Sequence, residues 1–162
     1  MSLFGAIDIS ASGLTAQRLR MDLIANNIAN INTTRTGTLT AAGNPIPYSR
    51  QEATFVPRPP DTPFASVLGE TLGSQNAGNG VQVASISDDV QDPFGLEYNP
   101  SSPDAATVAE PGLPVGYVRQ PNVNITTEMV DMISASRAYE ANVTAMNASK
   151  AMASKALEIG KG

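Results

Sequence analysis

The sequence predicts an α+β chain: an antiparallel coiled-coil pair of long N- and C-terminal helices with a small, irregular β module between them. Near the start, Ile7, Leu14, Met21 and Ile28 recur every seven residues, joined by Ile24 and Ile31. Near the finish, Met129, Met132, Tyr139, Val143 and Met146 follow the same three-and-four spacing. Residues three and four apart stack on one helix face, so each run is an apolar stripe. Between them lie all twelve prolines and most of the thirteen glycines, which break regular elements. Neither stripe is wide enough to be stable alone in water, and each is the nearest partner for the other.

The first helix is expected from about Phe4 to Asn32, with Asp8, Ser10 and Ser12 suited to its first turn and Gly13 a tolerated weak point. It loses definition at Asn30-Ile31-Asn32-Thr33-Thr34, where Asn and Thr compete for backbone hydrogen bonds. Gly37 and Gly43-Asn44-Pro45 mark turns. Tyr48 to Val56 alternates as a strand does, and Val81 to Ile86 follows the turn signal Asn76-Ala77-Gly78-Asn79-Gly80. The intervening 58–78 reads as a loop or inserted excursion. Asp92 to Pro114 is expected to be mainly irregular, with a short strand at Gly116 to Arg119.

The last helix has clearer ends. Asn124 or Thr126 and Thr127 can cap it, Glu128 and Asp131 suit its positive end, and Lys150, Lys155 and Lys161 sit late. Three segments follow: 1–34 and 123–162 as helices of a core, and 35–122 as an outer module. The chain leaves and re-enters at one end of the pair, so the helices should be antiparallel, with both termini together and the module at the opposite tip.

Composition narrows the function. With no Trp, four Phe and four Tyr in 162 residues, a compact globular interior is hard to fill. The formal charge of -5 argues against a nucleic-acid partner. Charge is unevenly divided: Pro57 to Tyr117 holds Arg58 against Asp61, Glu70, Asp88, Asp89, Asp92, Glu97, Asp104 and Glu110, so this stretch is -7 and the rest +2. A solvated central surface and a pair of distinct environments are both compatible with that division. No His and no Cys removes the commonest general base, thiolate chemistry and ordinary zinc sites. Asp88, Asp89 and Asp92 lack the glycine and bidentate Glu of a calcium loop. Glu97 and Asp104 have no aromatic groove for a sugar, and Gly78-Asn79-Gly80 lacks the Lys and helix of a phosphate loop. No cofactor, metal or small-molecule substrate is expected. The N-terminus lacks the basic cluster and apolar core of a cleaved signal peptide, and no window approaches a membrane span.

The helices carry a different signal. Ala141 to Ser149 has no charge, and Ala25, Asn26, Asn27, Ile28, Ala29 and Asn30 repeat that small or neutral pattern. A face toward water normally carries Lys and Glu. Small uncharged residues let other subunits approach closely, although an accidental composition in a soluble hairpin is the alternative. Two thin stripes bury little apolar area, so the ends are expected to gain order on assembly.

These residues also resemble a known family. Ser12-Gly13-Leu14-Thr15-Ala16-Gln17 leading into Ala25-Asn26-Asn27-Ile28-Ala29-Asn30-Ile31-Asn32-Thr33 is similar to the N-terminal signature of bacterial flagellar rod, hook and hook-associated axial proteins. Met1-Ser2-Leu3-Phe4 and Gln17-Arg18-Leu19-Arg20-Met21-Asp22 resemble its proximal-rod members. So do Tyr98-Asn99-Pro100, Gly116-Tyr117-Val118, Pro121-Asn122-Val123-Asn124, and Glu128-Met129-Val130-Asp131-Met132-Ile133 with Ser136-Arg137-Ala138-Tyr139-Glu140-Ala141-Asn142-Val143. The 58–78 excursion departs from the family's shorter members.

The resemblance implies a non-enzymatic subunit of the flagellar basal-body rod, the drive shaft that passes torque from motor to hook. It implies export without cleavage through the flagellar type III apparatus, and helical polymerisation outside the cytoplasmic membrane. Terminal helices would line the export channel, and the middle module would meet neighbours outside them. Partners would be copies of itself, other rod proteins and the export apparatus. Ala25 to Asn30 and Arg137 to Val143 would be packing surfaces, with Ile133 and the two stripes beside them. Another rod or hook-type axial protein is the alternative within the same apparatus.

Overall fold

The computed structural model describes residues 3–59, 79–89 and 91–160. Apart from Arg58 and Pro59, the 58–78 excursion lies outside the described residues, as do Lys161 and Gly162. The element order is α1 (Leu3–Ala29), β1 (Gln51–Pro57), β2 (Val81–Asp88), β3 (Gly95–Tyr98), β4 (Tyr117–Gln120) and α2 (Ile125–Ile159). The strands form two-stranded sheets, β1 with β2 and β3 with β4. An α+β chain with two long helices and small sheets is therefore what the sequence encodes. No helix among the described residues is long and apolar enough to cross a membrane.

Helix α1 starts earlier and ends sooner than its sequence pattern predicts. Asp8, Ser10 and Ser12 lie inside it, and its first turn holds no acid. The hydroxyls of Ser10, Ser12 and Thr15 instead donate to the carbonyls of Ala6, Ile9 and Ala11, at 3.0, 2.7 and 3.0 Å. That back-bonding satisfies a small polar side chain in a helix interior. At the other end the Asn30 side chain donates to the Asn26 carbonyl at 2.9 Å, and the Thr33 amide donates to the Asn30 carbonyl at 2.9 Å. The helix yields to turns from Asn30 because those amides and carboxamides offer closer bonds.

Helix α2 has the cap its sequence promises. The Asn124 side-chain oxygen accepts from the amides of Thr126, at 2.9 Å, and Thr127, at 3.4 Å. Glu128 stands in the first turn.

The described residues group into two compact units, the first drawn from Met1–Met21, Ala53–Ile86 and Ile133–Gly162, the second from Asp22–Glu52 and Ser87–Met132. In the first, the buried positions are small: Ser10, Ala16, Ala135 and Ser149. Gly13 meets Asn142 closely, since a Cβ there would stand 3.0 Å from Asn142 Nδ2. Small residues rather than large ones set the spacing of the helices at this point.

The second unit buries Ile24, Ala106, Leu113, Val118 and Val123 together with the polar Asn27, Asn44 and Glu128. Strand β3 was not expected, because Gly95-Leu96-Glu97-Tyr98 is short and exposed along its length. Its partner fixes it: Gly95 faces Gln120, Leu96 Arg119, Glu97 Val118 and Tyr98 Tyr117, antiparallel. The Tyr98 and Tyr117 rings lie 5.1 Å apart, tilted by 57°. Gly116 permits this, its φ of 84° being one that side chains resist and its open side lying against Tyr98. Tyr48 to Arg50, expected in the first strand, stay outside it because their amides are engaged elsewhere. Tyr48 donates to the Thr33 carbonyl at 3.0 Å and Arg50 to Asn122 Oδ1 at 2.8 Å.

The cap yields a test. Asn124→Ala should cost about 1 kcal/mol in urea unfolding of the full chain. Asn124→Ser should keep most of that stability, because a hydroxyl accepts from the same amides.

Candidate functional site

The stripes predicted from sequence are partly covered and partly bare. In α1, Ile24 and Asn27 are buried, and Ile7, Leu14, Met21, Ile28, Asn30 and Ile31 are half-buried. Ala25, Asn26 and Ala29 are exposed. In α2, Met132, Tyr139, Val143 and Met146 are half-buried, whereas Met129, Ile133 and Arg137 are exposed. Met129 is 56% exposed because the inward face of α2 begins one residue earlier, at Glu128. Glu128, Met132, Ala135, Tyr139, Asn142, Met146 and Ser149 keep the three-and-four spacing through the covered positions.

Two polar residues therefore sit where the periodicity asks for apolar ones, and the second unit joins them. Asn27 Nδ2 donates to Glu128 Oε2 at 3.1 Å and to the Gln51 carbonyl at 3.0 Å. Asn27 Oδ1 accepts from the Gln51 amide at 3.0 Å and from the Tyr48 hydroxyl at 2.9 Å. That carboxamide pairs with the Gln51 backbone as a neighbouring strand would. It also leaves none of its own hydrogen-bonding capacity idle.

Glu128 is fully buried, and Arg50 is its counter-ion, with Nε 2.6 Å from Oε1. The same guanidinium pairs with Glu52, reaches Asp89 at 3.4 Å and lies 3.6 Å from Asp131. Burial alone would lower the Arg50 pKa, but the hydrogen bonds and charges of Glu128 and Glu52 raise it above its ordinary value. Tyr48 is raised by burial and by the charges of Asp88 and Glu128. The last turn of α1, the start of β1 and the first turn of α2 are thus fastened through two charged side chains, Arg50 and Glu128, and two polar ones, Asn27 and Tyr48. We refer to this as the clasp.

Two depressed carboxylates brace the loops of the same unit. Asp89 is held below the usual range chiefly by the Gln91 amide, against burial, with the Asp92 amide and Arg50 adding to it. Glu110 is lowered first by the Thr40 hydroxyl, again against burial, and further by Asn44 and Arg119. Asp88 thus ends β2, and Asp89 accepts from the amides of Gln91 and Asp92 in the bend that follows. Among the described residues no acidic group is arranged to hold a metal ion.

Of the clasp, sequence reasoning identified Asn27 as a packing residue and Glu128 as a helix-end acid, but missed Tyr48 and Arg50. The available signal was polarity on an apolar face: Asn27 lies three residues after Ile24, and Glu128 lies four before Met132. Such positions require buried partners. Nothing local in the sequence names Arg50 as one of them.

Comparison with known proteins gives consistent matches. The family described as "Flagella basal body rod protein" matches residues 7–35, and "Flagellar basal body rod FlgEFG protein C-terminal" matches residues 115–159. Over its whole length the chain is similar to proteins named flagellar basal-body rod protein FlgC. That of Bacillus subtilis is 48% identical over 99% of this chain and 100% of its own length. That of Borreliella burgdorferi is 46% identical, covering 100% of each. That of Salmonella typhimurium is 35% identical over 99% of this chain and 100% of its own.

Removing Arg50 should leave Glu128 buried without its counter-ion, whereas Arg50 itself has Glu52 and Asp89 besides. Arg50→Ala is therefore expected to cost about 3–5 kcal/mol in chemical denaturation. The depressed Asp89 and Glu110 contribute stability that is present above the ordinary carboxylate pKa of about 4 and lost as pH falls through their lower folded values. Acid titration of unfolding should show that loss, and Asp89→Asn should flatten it.

Proposed function

The chain belongs to the family of flagellar basal-body rod proteins FlgC, and from that membership we propose how it works within the rod. It is a structural subunit of the bacterial basal-body rod, not an enzyme, and assembles with itself and other rod components. In our reading it polymerises helically at the proximal end of the rod, forming part of the drive shaft that carries torque from motor to hook. Its segments 1–34 and 123–162 form the rod core around the export channel, and 35–122 faces outward. It travels through the flagellar type III apparatus uncleaved and assembles outside the cytoplasmic membrane.

The observation that carries the reading is the apolar surface left bare on α2. Ile125, Met129, Val130, Ile133, Met152, Leu157 and Ile159 are between 46% and 82% exposed. Large apolar side chains left open along one helix mark contact surfaces. Copies of the same chain are a fitting cover, because the small residues around them (Ala141, Ala145, Ala148 and Ala151) let a neighbouring backbone come close. Antiparallel pairing of α1 with α2 is supported by the meeting of Asn27, near the end of α1, with Glu128, near the start of α2. The packing roles of Ala25 to Asn30 and Arg137 to Val143 belong to this proposal.

A rod joint built in this way shares load over many weak contacts. A charge inserted on a bare face should therefore stop assembly without unfolding the subunit. In Bacillus subtilis lacking its own FlgC relative, the wild-type chain should restore swimming. Ile133→Asp should be made and exported but leave cells immotile, with the purified protein keeping its circular dichroism spectrum. Normal swimming by this variant would contradict the proposed surface.

A further inference from the structure

We infer that Asn79 is a site of self-inflicted chemical modification, at which the chain deamidates through its own Gly80 amide. The first unit sets up the pair at the entry to β2. Asn79 is exposed, in a bend, and Gly80 follows it with a φ of +87°. Gly80 has no side chain to shield its nitrogen, and among the described residues its amide has no acceptor. Asn79-Gly80 is also the one Asn-Gly pair in the sequence.

The other described asparagines lack this combination. Asn44 and Asn99 precede prolines, which have no N–H. Asn27, Asn30, Asn32, Asn122, Asn124 and Asn142 precede β-branched residues that crowd the next nitrogen. Asn26 and Asn147 lie within helices, whose amides are already spent on carbonyls.

The reaction needs water and nothing else. The Gly80 nitrogen attacks Asn79 Cγ, the Cγ–Nδ2 bond breaks, and ammonia leaves with the amide proton, closing a succinimide. Water then opens either ring carbonyl, giving aspartate or isoaspartate at this position. The isoaspartate route lengthens the main chain by one carbon and adds a carboxylate.

That insertion falls directly beside a tight seat. A Cβ on Gly80 would collide with Ser12 Oγ. The Val81 amide donates to Ser12 Oγ at 3.0 Å, and Ser12 Oγ donates to the Ile9 carbonyl at 2.7 Å. The Arg58 amide donates to the Gly80 carbonyl at 3.0 Å, closing the base of the β1–β2 hairpin. A longer backbone at position 79 shifts Gly80 and Val81 out of that register, so modification loosens the hairpin from α1.

The test ages the full-length protein at mildly alkaline pH and maps peptides by mass spectrometry, with isoaspartate methyltransferase labelling and hydrogen–deuterium exchange. The expected result is an amide-to-acid mass shift confined to Asn79, isoaspartate labelling there, and faster exchange at the Val81 amide in the modified fraction. Asn79→Gln should abolish the shift and keep Val81 slow. If the folded chain stays unmodified while the same chain in urea shifts at Asn79, the folded site is protected and the inference is overturned. A shift that leaves Val81 exchange unchanged overturns the link to the hairpin seat.

Discussion

The second unit depends on a carboxylate that has left water. Glu128 is fully buried, and an ionised carboxylate in that position is tolerable only with a counter-charge and hydrogen bonds in place. Arg50 supplies the charge and Asn27 a hydrogen bond, so β1, α1 and α2 must each arrive in the correct register before any of these groups is satisfied. An apolar contact would accept small slips between helices. A carboxamide that uses both of its ends does not, and the network therefore specifies position more than it adds stability. This gives a physical reason for Asn27, rather than another Ile, on the stripe of α1.

Much of this architecture is legible in the sequence, and the unread portion has definite causes. The helices declare themselves through the seven-residue spacing of Ile7, Leu14, Met21 and Ile28, and through the capping oxygen of Asn124. Strand β3 is illegible because four exposed residues carry no alternation, and only pairing with β4 makes them a strand. The early end of α1 depends on which acceptor the Asn30 side chain chooses, a competition that composition flags but does not decide. On α2, the eye follows the methionines and places the stripe at Met129. The covered face starts at Glu128, because a buried ion pair can stand where an apolar residue would. Arg50 was invisible for the same reason: its meaning lies in partners thirty-nine and seventy-eight residues away.

The helices show a division of labour consistent with a rod subunit. Covered positions in the first unit are small, as at Ala16, Ala135 and Ser149, and Gly13 admits the Asn142 carboxamide. Such contacts hold helices close but remove little apolar area from water, so each is weak by itself. The large side chains are instead left bare, as at Ile133, Met152 and Leu157. A monomer built in this way keeps its strongest hydrophobic contacts for other chains, which accords with a protein whose working state is an assembly. The clasp makes the opposite choice, spending charged and polar groups inside one subunit to fix a junction.

Asn27 and Glu128 act as one unit with Arg50, and a double-mutant cycle measures that directly. Asn27→Ala, Glu128→Ala and the double variant would be compared by urea unfolding of the full-length chain, with the Gln51 amide followed by hydrogen exchange. A joined network predicts a coupling of about 1–3 kcal/mol and loss of Gln51 protection in each single variant. Strictly additive costs, with Gln51 still protected when either side chain is gone, would show that the clasp does not hold the junction.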